Sequence, residues 1–110
     1  MEKSSKMDYM SYMRRDEVIA RLKATEPVLR GFGVAALYLF GSHARGDARP
    51  DSDIDVFVDP APDKAFGFLP FMDSFETIQH AVDQKVDYGT RKGLHPLLRP
   101  EIEREAVRIF

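Results

Sequence analysis

Apolar residues recur along this chain with two different periods, and helical and strand-like segments alternate. The first helical segment begins near Asp16, which is a candidate N-cap. Its apolar positions are Val18, Ile19 and Leu22, followed by Val28, Leu29 and Phe32. Pro27 should end or kink this helix because proline cannot donate a backbone hydrogen bond. Thr25 can cap a second short helix that finishes at Gly31 or Gly33.

Three segments have the pattern of short strands. Residues 34–40, VAALYLF, form a continuous apolar run, which is typical of a strand buried on both faces. Residues 53–58, DIDVFV, alternate instead, so two aspartates share one face with a phenylalanine. The apolar face carries Ile54, Val56 and Val58, and the other carries Asp53, Asp55 and Phe57. Residues 85–90, KVDYGT, predict a third short strand that contains Asp87.

Two further helices are predicted in the second half of the chain. Between residues 70 and 82 the apolar positions recur every three or four residues, and the acidic turn after Pro100 indicates a final helix. One helical turn is expected from Ser42. This order of elements predicts an α/β (α+β) fold, with a small mixed sheet covered by helices mainly on one face. The other face should stay open near Asp53 and Asp55.

Composition narrows the class of protein. With 110 residues and 44% hydrophobic content, we expect one domain over 15–110 with a modest core. Residues 1–14 are polar and Met-rich, which predicts a flexible leader or extra sequence from an early start codon. No membrane span or signal peptide is recognisable and cysteine is absent, so cytoplasmic residence is expected. A net charge of -2 argues against a protein that binds nucleic acid stably.

The two aspartates of the second strand indicate a cation site. Residues two apart on a strand point the same way with Cα atoms about 6.5 Å apart, so Asp53 and Asp55 present two carboxylates to one spot. Repulsion and desolvation would raise at least one pKa unless a divalent cation neutralised the pair. Asp87 is a candidate third ligand on a neighbouring strand. The simpler alternative is an exposed edge strand.

A Gly-Ser pair before this strand favours the cation site over the exposed edge strand. Gly41 follows a buried strand and Ser42 opens a helical turn, so backbone N–H groups there can hold a phosphate, with the Ser42 hydroxyl as a further donor. The segment is not a Walker A loop, because no Lys-Ser/Thr follows the required glycine spacing. A phosphate site facing an acidic pair indicates phosphoryl or nucleotidyl transfer through two metals.

The segments GSHARG and SDIDVFV together resemble the signature of the minimal nucleotidyltransferase family. Gly41, Ser42 and Arg45 match its loop, Asp53 and Asp55 its acidic pair, and Asp87 its third acid. The resemblance extends from about Val18 to the C-terminus. Tyr88 departs from it, since an aliphatic residue is more usual there.

The resemblance implies a DNA polymerase β-like fold and a role for each matched residue. Asp53 and Asp55 would bind two Mg²⁺ ions that carry the triphosphate of ATP, and Asp87 would bind the catalytic ion and help deprotonate the acceptor hydroxyl. Gly41, Ser42 and Arg45 would contact the nucleotide, although Arg45 could equally shape the loop. Family members commonly act as antitoxins that transfer AMP to a tyrosine of a HEPN-domain ribonuclease toxin, which is the implied partner.

Two other functions stay open. A transferase acting on small molecules, of the aminoglycoside type, would need a second domain to enclose its acceptor. A binding module could neutralise a partner by masking it without catalysis.

Several side chains near the motif are given structural roles. His43 is expected to face solvent, Arg49 to be a surface charge, and Ser52 to cap a turn and position Asp53. The aromatic residues Phe66, Phe68, Phe71 and Phe75 predict core packing, with a partner-binding patch as the alternative.

Overall fold

The computed structural model describes residues 14–110, so the predicted leader, 1–14, lies outside the described residues except for Arg14. The helices are α1 (Arg15–Lys23), α2 (Glu26–Phe32), α3 (Gly41–Arg45), α4 (Phe68–Val82) and α5 (Arg99–Glu105). The strands are β1 (Val34–Phe40), β2 (Ile54–Pro60), β3 (Val86–Thr90) and β4 (Val107–Arg108). A single 3₁₀ turn, Arg91–Gly93, follows β3. No helix within residues 14–110 has the length and hydropathy to cross a membrane.

The sheet is mixed, as predicted. Its strand order is β3-β2-β1-β4, with β1 antiparallel to both neighbours and β2 parallel to β3. The fourth strand was not predicted from the sequence, which indicated only a helix after Pro100. That helix ends at Glu105 because Ala106 adopts extended backbone angles, and Val107 and Arg108 then pair with β1. Two residues are too few to show a strand period.

The predicted helix boundaries need small corrections. Asp16 is not the N-cap of α1 but lies in its first turn, where a carboxylate favours the positive end of the helix dipole. Thr25 occupies the N-cap of α2 without capping it, because its hydroxyl donates to the Leu22 carbonyl at 2.6 Å. The predicted stop is confirmed at Gly33, whose φ of 103° is left-handed. Helix α4 begins at Phe68, before the predicted start.

One face of the sheet forms the hydrophobic core with α1, α2 and α4. The buried core residues from these helices are Val18, Leu22, Leu29, Ile78 and Val82, and those from β1 and β2 are Val34, Leu37, Leu39, Ile54, Val56 and Val58. Phe66 and Phe75 pack against this core, and Phe71 contacts Tyr88, which confirms the packing prediction for these three rings. Phe68 differs, since 74% of it is exposed.

The other face of the sheet is partly open. Tyr38 and Phe40 lie there and are only partly buried, so the prediction that β1 is buried on both faces is wrong for this side. The Tyr38 ring stacks on Phe57 with centroids 4.8 Å apart. Asp55 and Asp87 lie on the same face, which is where the sequence placed its candidate site.

Candidate active site

Gly41 and Asp55 are in direct contact at the end of β1. The chain turns into α3 at Gly41, which has a φ of 76°, a left-handed value that favours glycine. A Cβ added at Gly41 would lie 2.2 Å from Asp55 Oδ2, closer than atoms can approach. Residue 41 must therefore be glycine if the Asp55 carboxylate is to lie against the Gly-Ser turn.

The structure brings the three predicted acids to neighbouring positions. Asp55 and Asp87 are register partners on the parallel strands β2 and β3. Asp53 immediately precedes β2 rather than lying inside it, and its side chain is 40% exposed. Lys85 Nζ lies 3.9 Å from Asp53 Oδ2, so one cation of the chain already faces this group.

Asp55 lies in an electrostatically unfavourable environment for an ionised carboxylate. Its pKa is raised to about 6, mainly by burial and further by the charges of Asp87 and Asp53. The Arg45 guanidinium acts in the opposite direction and lowers it. An ionised Asp55 at neutral pH is thus costly without a further positive charge.

These carboxylates fit a divalent cation by charge and by ligand chemistry. Oxygen ligands from aspartate are what Mg²⁺ prefers, and a bound cation would relieve the repulsion that raises the Asp55 pKa. Within residues 14–110, no three His, Cys, Asp or Glu side chains are placed closely enough to hold a metal as they stand. Side-chain rotation at adjacent strand positions would have to bring the carboxylates together around an ion.

Glu105 belongs to this site and was not predicted from the sequence. Its carboxylate accepts the Gly41 backbone N–H at 3.1 Å and also binds the Arg45 guanidinium, with Nη1 3.1 Å from Oε1. Arg45 bonds Asp47 as well, so in this structure Arg45 shapes the loop. Glu105 lies 64 residues after Gly41, and nothing in an acidic helix marks one glutamate as part of a distant loop.

The structure confirms the roles predicted for two further loop residues, Ser52 and Arg49, and contradicts the one predicted for His43. Ser52 closes the turn before Asp53, because its hydroxyl accepts the Arg49 N–H at 2.9 Å and its own N–H donates to the Arg49 carbonyl. Arg49 is exposed, as expected. The prediction for His43 is wrong: only 3% of it is exposed, and its ring lies 3.4 Å from the Ser52 carbonyl. His43 faces inward and braces this loop.

Arg91 organises the opposite end of the open face and was also missed. It binds both Asp59 oxygens, at 3.0 and 2.8 Å, and Glu103 at 2.8 Å. Its guanidinium lies 4.9 Å from the ring centroids of both Tyr38 and Phe57. This arginine closes the apolar part of the open face and links it to α5.

Comparison with known proteins agrees with this geometry. Residues 16–109 match the model of the nucleotidyltransferase domain family. The chain belongs to that family. This nucleotidyltransferase is 30% identical over 101 residues to the protein adenylyltransferase MntA of Thermococcus cleftensis, covering 91% of this chain and 100% of the relative. The predicted enzyme class is thereby confirmed.

Solved structures of other proteins have the same fold. A minimal nucleotidyltransferase structure superposes on this nucleotidyltransferase with a TM-score of 0.72 at 30% identity, covering 87% of this chain and 96% of the other. This match confirms the minimal nucleotidyltransferase resemblance and the polymerase β-like fold that it implies. A toxin–antitoxin structure with AMP-PNP gives a TM-score of 0.59 at 19% identity, covering 89% and 73% respectively, and shows a shared fold.

Proposed function

We propose that this nucleotidyltransferase transfers AMP from ATP to a tyrosine hydroxyl of a HEPN-domain ribonuclease toxin and so acts as its antitoxin. The observation that carries the proposal is the contact of the Asp55 carboxylate with Gly41, with Asp87 opposite Asp55 in register. Acid ligands and a Gly-Ser turn that meet in this way suit a nucleoside triphosphate with its cations.

Each matched residue has a role in this proposal. Asp53 and Asp55 would hold two Mg²⁺ ions, and Asp87 would help to hold the catalytic one. Bound Mg²⁺ would supply neutralisation of charge on the α-phosphate and on the departing pyrophosphate. Ser42 donates its hydroxyl and backbone N–H to phosphate oxygens. Gly41 and Arg45 shape the turn that presents Ser42.

The proposed reaction exchanges one phosphorus–oxygen bond for another. The acceptor oxygen forms a bond to the α-phosphorus, the bond from that phosphorus to the bridging oxygen breaks, and pyrophosphate leaves. Asp87 accepts the hydroxyl proton and passes it to water, which its exposed position on the edge strand β3 permits. An acceptor carried on the surface of a second protein can approach the same edge.

Two relatives support the choice of acceptor. One is the MntA relative, a protein adenylyltransferase, and the other is the AMP-PNP complex, a toxin–antitoxin assembly. A protein acceptor in a toxin–antitoxin pair is consistent with both. Masking without catalysis predicts the same binding partner but no dependence on the acids.

The test uses Asp87→Asn, which is nearly isosteric and hardly changes the surface offered to a partner. We expect the purified variant to bind the HEPN-domain protein and ATP but to leave the toxin unmodified by mass spectrometry and active in cells. Asp73→Asn is the matched control, since Asp73 is an exposed aspartate of α4 and should behave as wild type. If Asp87→Asn neutralises the toxin as completely as the wild type does, and no AMP is found on the toxin, the protein acts by masking its partner instead.

A further inference from the structure

Glu105 binds two donor groups at the entrance of the Gly-Ser turn. Its Oε2 accepts the Gly41 N–H at 3.1 Å, while its Oε1 accepts Arg45 Nη1 at 3.1 Å. The Glu105 side chain is only 22% exposed and its contact with Gly41 is partly buried, whereas the Arg45 side chain is 50% exposed. A carboxylate shared between a backbone N–H and a guanidinium is held in one orientation.

The chain around Glu105 is fixed relative to β1, the strand that Gly41 follows. Glu105 ends α5, and β4 begins two residues later beside Tyr38 and Leu39. Beyond β4, Leu37 donates to the Phe110 carbonyl at 3.1 Å and accepts the Ile109 N–H at 2.8 Å. Glu105 therefore reaches Gly41 from a segment that is hydrogen-bonded to β1.

Gly41 is in contact with an acid on each of two sides. Glu105 holds its N–H, and the Asp55 carboxylate lies against its Cα, where a Cβ would come within 2.2 Å of Oδ2. Any rotation of the Gly41 peptide would move the surface on which Asp55 rests. A group that fixes Gly41 consequently also fixes the carboxylate proposed to hold Mg²⁺.

We infer that Glu105 is a positioning residue, which holds Gly41 so that the Asp55 carboxylate keeps its orientation beside the turn. The inference rests on the proposed function for the role of Asp55. It also assigns the phosphate contacts to the Ser42 N–H and hydroxyl, because a phosphate oxygen and the Glu105 carboxylate cannot both take the Gly41 N–H. Arg45 neutralises Glu105, which limits repulsion of the triphosphate.

The first experiment measures the Gly41 contact without any reaction. Amide hydrogen exchange by NMR on the full chain should show a protected Gly41 N–H in the wild type. Glu105→Ala removes the acceptor, so exchange at Gly41 should accelerate by about tenfold or more. Glu105→Gln keeps an amide oxygen that can accept the same bond, so protection should persist. Glu101→Ala is the control, because Glu101 lies on the same helix and binds Arg104 at the surface.

The second experiment separates positioning from competition with phosphate. With ATP, Mg²⁺ and the HEPN-domain protein as acceptor, Glu105→Ala should lower kcat by about 10- to 100-fold and change the KM for ATP less than about threefold. Glu105→Gln should restore most of kcat, and Glu101→Ala should match the wild type. Should Glu105→Ala fail to fold, Glu105→Asp withdraws the carboxylate by one methylene and should give an intermediate loss.

Three results would overturn the inference. Unchanged Gly41 exchange in Glu105→Ala would show that Glu105 does not hold this N–H. Normal kcat with a lower KM would make Glu105 a competitor of the triphosphate, and a Gln variant as impaired as the Ala variant would assign the effect to charge. If the wild type itself transfers no AMP, the proposed function is wrong, while the exchange rates still decide whether Glu105 holds Gly41.

Discussion

The two faces of the seven-residue strand β2 are stabilised by different interactions. On the core face, Ile54, Val56 and Val58 are buried against three helices. On the open face, Asp55, Phe57 and Asp59 alternate with them, and two of these three are charged. Burial of apolar surface holds one face in place, whereas the other depends on paired charges and on a glycine that makes room for a carboxylate.

The residues that contact the two faces come from different parts of the sequence. The core face is completed by helices whose apolar period is visible in the sequence. The open face is completed by single side chains that arrive from the C-terminal part of the chain, Arg91 on Asp59 and Glu105 on Gly41. Substitutions on the core face should therefore cost stability, and those on the open face should cost activity.

The largest expected effect is on catalysis from the open face. Asp55→Asn removes one charge of the proposed Mg²⁺ site, so AMP transfer should fall by at least about 10³-fold, or about 4 kcal/mol in transition-state stabilisation. Asp53→Asn should act in the same way. The measurement is AMP transfer with ATP and Mg²⁺, with Asp73→Asn as the control. Full activity in either variant would reject the assigned acids.

The next effect is on stability from the core face. Leu39→Ala empties a fully buried position of β1, so unfolding free energy should fall by about 3 kcal/mol in urea titration. Leu97→Ala is the matched control, because Leu97 is 84% exposed and its loss should change stability by less than about 0.5 kcal/mol. Equal losses in both variants would contradict the assignment of the core.

A smaller effect is expected at the Gly-Ser turn. Ser42→Ala removes one hydroxyl donor and keeps the backbone donors, so transition-state binding should weaken by about 2 kcal/mol. Gly41→Val should lose more, because the added side chain collides with Asp55. Comparison of kcat/KM for ATP in the two variants gives the order. A Gly41→Val variant with normal kcat/KM would show that the triphosphate binds elsewhere.

The sequence predicts the core face better than the open face for a physical reason. Apolar residues recur every two positions at Ile54, Val56 and Val58 and every three or four positions in α4. The spacing within each short segment therefore predicts the type of element. The acids and the Gly-Ser pair are also local, since they fall within one short segment. Asp55 and Asp87 lie side by side on adjacent strands as predicted, whereas Asp53 lies just before β2 instead of inside it.

Long-range polar contacts leave no such local pattern. Glu105 and Arg91 meet their partners across 64 and 32 residues, and any of several glutamates and arginines could have done so. The inward orientation of His43 is similarly decided by one carbonyl, that of Ser52, which the turn brings within reach. β4 is too short for a period and exists because β1 offers it a free edge.

The smallest effect is a pH dependence of stability that also distinguishes the two faces. The pKa of Asp55 is raised from 3.8 to about 6 in the folded chain, so between these pH values the unfolded chain loses a proton that the folded chain keeps. Stability is thus highest below about pH 4 for this group, falls as the pH rises to about 6, and stays lower above it. A rise of this size corresponds to about 3 kcal/mol if fully expressed, and because Asp55 is partly exposed we expect about 1 kcal/mol.

Metal-free thermal unfolding of wild type and Asp55→Asn should show the variant gaining about 5 °C relative to wild type between pH 4 and pH 7. Titrating groups that do not interact with Asp55 cancel in this difference. Mg²⁺ at pH 7 should then raise the melting temperature of the wild type more than that of Asp55→Asn, because the cation neutralises the charge that the variant lacks. A pH-independent difference between the two proteins would show that Asp55 is not under electrostatic strain, and the case for a cation at this face would lose its physical basis.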